Sequence, residues 1–389
     1  MTNPKNTNAA ESDHQRYLSA RDSDHATLLA HAAKSSGRSV LQVQRSFNQM
    51  AKPPSRLNMV EYVRNGLHHE DRFTDAERAA YISNDLHWPI AHKCNHHGWN
   101  SAAEDKILAS TLLETAGVPV PETVGVIDRS NRHYPGVTKI NTPEALRDLV
   151  CNHLEGGLFG KIVEGMVSFG AFLIEDADQS TITCAGQPPI TYEAFLDEFV
   201  GQNSYVVQPL LKNHSAIQDY ASALATVRMV TLVRENDVFC PVAVIKLPQG
   251  PNIADAFWRP GNLACSINIK TGVIETVARR AKMETEFLDD HPDNPGLMGL
   301  KLPFWDELIE INDRAARTFQ PIRYQSTDIA ITESGPVVVE LNYGGGFDLP
   351  QYASGRGMLT PEVRSFFEGF GYDLDAKPQK KRWLFGKRR

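Results

Sequence analysis

The chain has 389 residues, of which 41 % are hydrophobic and 22 % are charged, and this composition predicts a globular protein with two or three structural lobes. Its formal net charge of −7 argues against generic nucleic-acid binding. The sequence contains no run of about 18 apolar residues, so we expect no membrane-spanning helix. The start of the chain lacks the apolar core of a signal peptide, and its five cysteines form no Cys-x-x-Cys pair. These features predict a cytoplasmic protein with reduced thiols.

The first hundred residues divide into two parts. Residues 1–22 are polar and lack periodicity, so we expect a disordered tail. Residues 23–100 predict a mostly helical N-terminal region, because residues 25–50 place apolar side chains on one helical face. A capping-type start at Thr74-Asp-Ala-Glu77 adds a shorter helix.

From residue 101 onward, helical and strand-like segments alternate, which predicts a fold of mixed helices and sheets. We expect two lobes of this kind, residues 101–204 and residues 205–376. The predicted helices cover residues 104–116, 142–154, 192–200 and 305–319, and the predicted strands cover residues 158–164, 168–175, 205–211, 227–234, 241–247 and 263–269.

The last 13 residues, 377–389, contain seven basic residues and no acidic residue. Two interpretations remain open for this basic tail. It is either a solvated, disordered end or a peripheral contact with an anionic membrane surface or an acidic partner.

A hairpin pattern near the C-terminus carries the strongest signal for chemistry. Asp328 lies on its first predicted strand, and Glu340 and Asn342 end the second. Residues two apart on a strand point to the same face, so Glu340 and Asn342 are directed together. Carboxylate and amide oxygens suit Mg²⁺, which is usually held by one or two carboxylates together with substrate phosphates. The hairpin therefore predicts a metal site.

Two lysines have surroundings that suit phosphate binding. Lys161 lies on a predicted strand, and Gly165 and Gly170 follow in a loop whose backbone amides can approach an anion closely. Lys106 lies in the first turn of a predicted helix, where the helix dipole is unfavourable for a cation, so we expect an anion to compensate.

Residues 92–97 contain three histidines and one cysteine, but their spacing matches no standard zinc pattern. We interpret this segment as a loop with a structural or substrate-contacting role.

The order of these motifs resembles the ATP-grasp superfamily of carboxylate–amine ligases. One sequence motif is most similar to the sugar-transfer-associated branch of this superfamily: Asp-Ile-Ala-Ile-Thr followed by Gly-Pro-Val-Val-Val-Glu-Leu-Asn. The resemblance covers roughly residues 58–370 and implies an ATP-grasp fold, in which two α+β lobes grip ATP and follow a mostly helical N-terminal region. Residues 101–204 would carry the phosphate lysines and a glycine flap, and residues 205–376 the metal site.

The resemblance also implies roles for individual residues. The catalytic residues would be Arg259 and Arg228, and the Mg²⁺ ligands would be Asp328, Glu340 and Asn342. Two departures are visible: Gln208 replaces a more common glutamate, and Ser326 occupies the position of an arginine in D-alanine ligases, so the choice among Arg259, Arg228 and Arg323 stays open. The implied ATP contacts are Lys106, Lys161, Gly165, Ser168, Phe169, Gly170, Gln208, Pro209, Leu210 and His214.

The implied reaction is ADP-forming ligation of a small-molecule carboxylate to an amine, or to a thiol, through an acylphosphate. The name of the branch suggests polysaccharide or cell-envelope biosynthesis, which is association rather than mechanism. Two alternatives remain: phosphotransfer from ATP to a hydroxyl group, and a non-catalytic ATP-binding or interaction protein anchored by its basic tail.

Overall fold

The computed structural model describes residues 8–19, 23–165 and 168–376. The basic tail therefore lies outside the described residues. The helices are α1 (Ala9–Ser19), α2 (His25–Ser36), α3 (Val40–Met50), α4 (Met59–Arg64), α5 (Asp75–Ala79), α6 (His87–Cys94), α7 (His97–Glu104), α8 (Lys106–Thr115), α9 (Pro143–His153), α10 (Tyr192–Ala194, continued by π-helical Phe195–Val200), α11 (Ser215–Gln218), α12 (Trp305–Thr318), α13 (Asp348–Ser354) and α14 (Pro361–Gly369), with 3₁₀ turns at Glu70–Arg72 and Asn84–Leu86.

The strands form two sheets. The first sheet has the order β2-β1-β7-β3-β4-β5-β6, and the second has the order β12-β11-β10-β9-β8-β13-β14. Their bounds are β1 (Gly125–Ile127), β2 (Lys139–Ile140), β3 (Leu158–Ile162), β4 (Phe172–Ala177), β5 (Thr181–Cys184), β6 (Ile190–Thr191), β7 (Tyr205–Pro209), β8 (Thr226–Val233), β9 (Val238–Leu247), β10 (Leu263–Ile267), β11 (Val277–Arg280), β12 (Thr285–Leu288), β13 (Tyr324–Thr332) and β14 (Gly335–Asn342).

The first sheet builds a lobe with its own core. Helix α9 and the α10 segment pack against it through apolar side chains such as Leu146, Phe195 and Phe172. Strand β3 runs antiparallel to both β4 and β7, so it lies at the centre of the lobe. The side chain of Lys161, near the end of β3, is thereby placed by a buried strand rather than by a loop.

The second sheet has apolar side chains on both faces. On β13, Ile329 and Ile331 share a core with α8 and α12. Successive residues of a strand alternate between faces, so Asp328 points to the opposite side of the sheet. Strands β13 and β14 pair with Asp328 opposite Glu340, and β13 and β8 pair with Asp328 opposite Arg228. The predicted hairpin is thus present, and its register sets the carboxylates side by side.

The N-terminal region is helical, but its first helices differ from the sequence expectation. The polar segment expected to be disordered contains helix α1. The single helix expected over residues 25–50 is two helices, because Gly37 adopts the left-handed conformation (φ +66°) that ends α2. The capping box at Thr74, with Glu77 as its reciprocal partner, forms as the sequence indicates. The strand expected over residues 168–175 begins at Phe172, after a turn.

None of the helices within the described ranges is both long enough and apolar enough to cross a membrane.

The segment after α5 is tied to the end of the second lobe by close backbone packing. Gln351 accepts a hydrogen bond from Ile82 N at 2.9 Å and donates one to Ile82 O at 2.9 Å, while Leu359 N donates to Ala80 O at 2.8 Å. At Gly357 this packing leaves no room for a side chain, because an added Cβ would overlap the backbone of Ala80.

We therefore expect Gly357→Ala to destabilise the protein by about 1–3 kcal/mol, the usual cost of overpacking. The matched control is Gly369→Ala, because a Cβ at that position in α14 would meet nothing within 4 Å. This control should shift the free energy of unfolding by less than about 1 kcal/mol. Urea unfolding of both variants tests the packing of residues 80–82 against residues 351–359. An equal loss of unfolding free energy in the two variants would contradict this packing.

Candidate active site

Asp328 is a buried carboxylate surrounded by cations. Arg228 donates two hydrogen bonds to it, from Nε to Oδ1 at 2.8 Å and from the terminal nitrogen to Oδ2 at 2.6 Å. Lys246 Nζ lies 3.1 Å from the same Oδ2. Burial raises the pKa of Asp328, but the positive charges of Arg228 and Lys246 outweigh it and hold the pKa below its usual range. The carboxylate is therefore ionised at neutral pH.

Glu340, the cross-strand neighbour of Asp328, contacts the cation expected at the start of α8. Lys106 Nζ lies 3.0 Å from Glu340 Oε1 and also donates to Gly165 O at 2.7 Å. The anion needed to offset the unfavourable helix position of Lys106 is thus Glu340. Asp105 supplies a second compensation, because its side chain caps α8 by accepting from the amides of residues 107 and 108.

Lys161 reaches from the first sheet to the second. Its Nζ donates a hydrogen bond to Val339 O on β14 at 2.8 Å. Burial lowers the pKa of Lys161 to about 8, although the negative charge of Glu340 raises it in part. The two lysines singled out by the sequence therefore bind neighbouring residues of β14, Lys106 the carboxylate of Glu340 and Lys161 the carbonyl of Val339, although they start from a helix and a strand of different parts of the chain.

The donor set on the hairpin fits a hard divalent cation. Asp328 and Glu340 offer carboxylate oxygens from adjacent strands, and Asn342 follows Glu340 on the same face. Asn342 Nδ2 is buried and lacks a hydrogen-bond partner among the described residues, so the amide is not committed to a bond through that atom. The residues present are thus suitable for holding Mg²⁺.

Two charged residues of this cluster were missed by the sequence analysis. Lys246 Nζ lies 3.0 Å from Asp255 Oδ2 as well as near Asp328. A lysine within the apolar stretch 242–247 was a usable signal, because a charge in a buried strand needs partners. Asp255 lies in an irregular segment with no local pattern that marks it.

A cavity of about 360 Å³ opens beside the charge cluster. Lys161, Asp328 and Glu340 line one part of it. The other part is mostly apolar and is formed by residues of β3, β4 and β7, the segment before β1 and the segments that follow β7 and β9. It is lined by Pro121, Phe159, Leu173, Gln208, Pro209, Leu210, Leu211, Leu224, Ile253 and Ala254.

A second cavity, of about 400 Å³, adjoins the same cluster and shares the lining residues Ser168, Asp255, Asp328 and Glu340 with the first. The cations Arg228, Lys246 and Arg280 line it, together with aromatic rings from several parts of the chain. These rings belong to Tyr17, Trp88, Phe257, Trp258, Tyr343 and Tyr352.

Helix α1 packs against residues 168–170, the described part of the glycine loop before β4. Asp13 Oδ2 accepts a hydrogen bond from Gly170 N at 3.1 Å and lies 3.1 Å from a guanidinium nitrogen of Arg259. The same nitrogen of Arg259 donates to Ser168 O at 3.2 Å. The rings of Phe169, Tyr17 and Trp258 contact one another, with Phe169 at centroid distances of 5.6 Å from Tyr17 and 5.9 Å from Trp258. The loop is therefore held by α1 on one side and by Arg259 on the other.

Comparison with known proteins identifies the family. Residues 90–366 match the family model described as "Sugar-transfer associated ATP-grasp". The chain belongs to this family. No curated protein matches the sequence significantly.

The solved structures similar to this ATP-grasp protein are distant. D-alanine–D-alanine ligase from Bacillus anthracis has 12 % identity and a TM-score of 0.39, with 69 % of this chain and 67 % of that chain covered. VanG D-Ala:D-Ser ligase from Enterococcus faecalis has 14 % identity and a TM-score of 0.40, with coverage of 79 % and 67 %. Biotin carboxylase from Campylobacter jejuni has 13 % identity and a TM-score of 0.40, with coverage of 72 % and 48 %, so the chain spans about half of that enzyme.

The structure brings together most of the residues that the sequence analysis assigned to ATP and metal. Lys106, Lys161 and Gly165 meet at the charge cluster, Ser168 lines both cavities, and Gln208 with its two successors lines the first cavity. Phe169 and Gly170 lie further out, under α1.

Four other residues named in the sequence analysis have the following contacts in the structure. Arg228 is bound to Asp328, whereas Arg259 is bound to the glycine loop and α1, so the two arginines do not act on one point in this arrangement. Arg323 lies at the far end of β13 and contacts Glu235 at 3.1 Å. His214 caps α11, because its Nδ1 accepts from Ala216 N at 3.0 Å and its Nε2 lies 3.6 Å from Glu333.

The histidine-rich segment at residues 92–97 is not the loop that the sequence indicated, because it consists of the end of α6, two linking residues and the start of α7. Asn95 Nδ2 donates to Tyr324 O at 3.0 Å and to Tyr343 O at 3.1 Å, and Asn95 Oδ1 accepts from Tyr324 N at 2.9 Å. His92 and His97 are exposed, with ring centroids 5.6 Å apart. Asn95 therefore fastens the start of β13 to the segment after β14.

We expect Asp328→Asn to destabilise the ligand-free protein by about 3–5 kcal/mol, because it leaves Arg228 and Lys246 buried without their shared counter-charge. The matched control is Asp313→Asn, which removes an exposed partner of Arg317 and should cost less than about 1 kcal/mol. Urea unfolding of both variants measures the difference. A loss of stability no larger for Asp328→Asn than for Asp313→Asn would contradict the analysis of the cluster.

Proposed function

We propose that this ATP-grasp protein is an ATP- and Mg²⁺-dependent ligase that joins a small-molecule carboxylate to an amine through an acylphosphate. The observation that carries the proposal is the position of one charge cluster between two cavities. Lys161, Asp328 and Glu340 border the first cavity, and Arg228, Asp328 and Glu340 border the second. A phosphoryl group passing between two substrates needs such a junction.

The first cavity suits a nucleotide. Its apolar part offers contact surface for a base, and Gln208 of β7 with the three residues that follow it lines this part. Lys161 and Lys106 provide positive charge at the opposite part, where the phosphates would lie. The proposal therefore orients the nucleotide with its base against residues 208–211 and its phosphates at the charge cluster.

Mg²⁺ would be held by Asp328, Glu340 and Asn342. When bound, it supplies charge neutralisation at the transferring phosphoryl group. Arg228 and Lys246, which now neutralise Asp328, would be available to the developing negative charge on the side of the second cavity.

The second cavity suits the carboxylate substrate. Arg280 and Lys246 give it positive charge, and its aromatic walls give it apolar contact surface. Helix α1 and the glycine loop cover one side of the junction, which would limit access of water to an acylphosphate. The family description is the support for placing the product in polysaccharide or cell-envelope biosynthesis.

Thermal unfolding with ATP, with Mg-ATP and with Mg-ATP plus a chelator tests the nucleotide part. Mg-ATP at about 100 times its dissociation constant should stabilise the fold by roughly 2.7 kcal/mol, and chelation should reduce that gain. ADP release with panels of carboxylates and amines then tests ligation. A stable phosphorylated product formed without an amine would instead select the hydroxyl phosphotransferase, and no stabilisation at millimolar ATP would contradict the nucleotide site.

Glu340→Gln tests the role of Glu340, which borders both cavities. We expect ADP release to fall at least a hundredfold, because the amide cannot replace the carboxylate toward Mg²⁺ or Lys106. The matched control is Glu362→Gln, an exposed glutamate paired with Arg234, which should keep full turnover. Circular dichroism of both variants checks that they fold. Undiminished turnover of folded Glu340→Gln would disprove the assignment.

Nucleotide affinity should depend on the protonation of Lys161. Its pKa is lowered to about 8 in the free protein, so its amine loses charge as the pH rises above that value. Bound phosphates favour the charged amine and raise its pKa again, so binding should take up a proton above about pH 8 and weaken by up to about tenfold per pH unit. Calorimetry in two buffers of different ionisation enthalpy measures the uptake. Lys161→Arg should abolish it, and identical uptake in that variant would assign the proton elsewhere.

A further inference from the structure

The imidazoles of three histidines contact the carboxylate of Glu284, which is not part of the charge cluster at Asp328 and Glu340. His31 Nε2 lies 2.7 Å from Glu284 Oε1, and His68 Nε2 lies 3.2 Å from the same oxygen. His69 Nε2 lies 3.4 Å from the other oxygen of Glu284. The histidines come from α2 and the segment after α4, whereas Glu284 lies in the turn between β11 and β12.

We propose that His31, His68 and Glu284 form a binding site for a divalent cation of the zinc class, which fastens the N-terminal helices to the β11–β12 turn. Within the described residues, these three side chains are the group whose potential ligand atoms all lie within 4.8 Å of one another. Two imidazoles and a carboxylate are ligands that Zn²⁺ accepts. The fourth position would be filled by His69 or by water.

The distances are close to those of a metal-bound arrangement. Ligand bonds of about 2.0–2.2 Å at tetrahedral angles place neighbouring ligand atoms roughly 3.3–3.5 Å apart. The contacts of Glu284 with His68 and His69 already lie near this range, at 3.2 and 3.4 Å. The contact with His31 is shorter, at 2.7 Å, but the His31 side chain is 33 % exposed and has room to rotate outward.

The ring of His68 contacts Glu284 through one nitrogen, Nε2. Its side chain is 0 % exposed, and its Nδ1 lacks a hydrogen-bond partner among the described residues. The Nε2 atom, in contrast, faces both Glu284 and Ser35 Oγ, the latter at 3.0 Å. A fully buried imidazole with one occupied nitrogen therefore directs that nitrogen at the proposed cation.

The proposed site would stabilise a wall of the second cavity. The turn that carries Glu284 follows β11, and Arg280 at the end of β11 lines that cavity. On the opposite side of the same turn, Arg64 of α4 donates to Ala281 O at 3.3 Å. A cation at Glu284 would thus cross-link the helices and the hairpin beside the cavity, and its role would be structural.

The test is the zinc content of the full chain, prepared without a histidine tag, after expression with added zinc and exhaustive dialysis. We expect about one zinc per chain by elemental analysis, and at least a tenfold lower content in His31→Gln and in Glu284→Gln. The matched control is His97→Gln, which removes an exposed histidine of the other histidine-rich segment and should keep the metal. A chelator should lower the melting temperature of the wild type and of the control, but not that of the two variants.

Cobalt binding keeps the test decisive if a variant fails to fold. The wild-type chain, stripped of metal and titrated with Co²⁺, should develop the visible absorption of a four-coordinate site at one equivalent, and Zn²⁺ should bleach it. A wild-type chain that holds no zinc and gives no such absorption would overturn the proposal and leave the cluster as an ion pair. Zinc retained equally by Glu284→Gln, or lost from His97→Gln, would also overturn it.

Discussion

Two carboxylates buried side by side impose the constraint around which this protein is arranged. Asp328 and Glu340 face each other across β13 and β14, and neither can remain ionised in the interior without a cation. The cations come from separate elements: Arg228 from β8, Lys246 from β9 and Lys106 from α8, with Lys161 of β3 close by. Satisfying the two charges therefore brings both sheets and a helix to one point, and the cavities flank that point.

The N-terminal helices contact the two sheets at the glycine loop and behind the second cavity. Helix α1 holds the glycine loop through Asp13, and residues 80–82 interlock with residues 351–359 behind the second cavity. Most of these helices precede the part of the chain that matches the family model, which begins at residue 90. The part of the chain that matches the family model and the helices that precede it are thus joined at the candidate site.

Local patterns were sufficient to predict the parts of the site that depend on strand alternation and short motifs. Asp328, Glu340 and Asn342 followed from the hairpin, and Lys106 and Lys161 from their positions beside a helix start and a glycine loop. Contacts between distant segments could not be predicted in this way. Helix α1 has little apolar periodicity and is held by Gly170 and Arg259, which lie more than 150 residues away. Asp255 lies in a loop without a recognisable sequence motif and is held there by its ion pair with Lys246.

The hydrogen bond between Lys161 Nζ and Val339 O spans the two sheets, and that between Lys106 Nζ and Gly165 O ties α8 to the glycine loop. Lys161 lines the first cavity, and Lys106 lies beside it at Glu340, so both lysines are already bound to internal carbonyl acceptors. If the proposed nucleotide binds there, its phosphates would replace these acceptors, so binding would be a substitution rather than the filling of an empty space. The measured enthalpy of binding would then include the loss of the internal bonds.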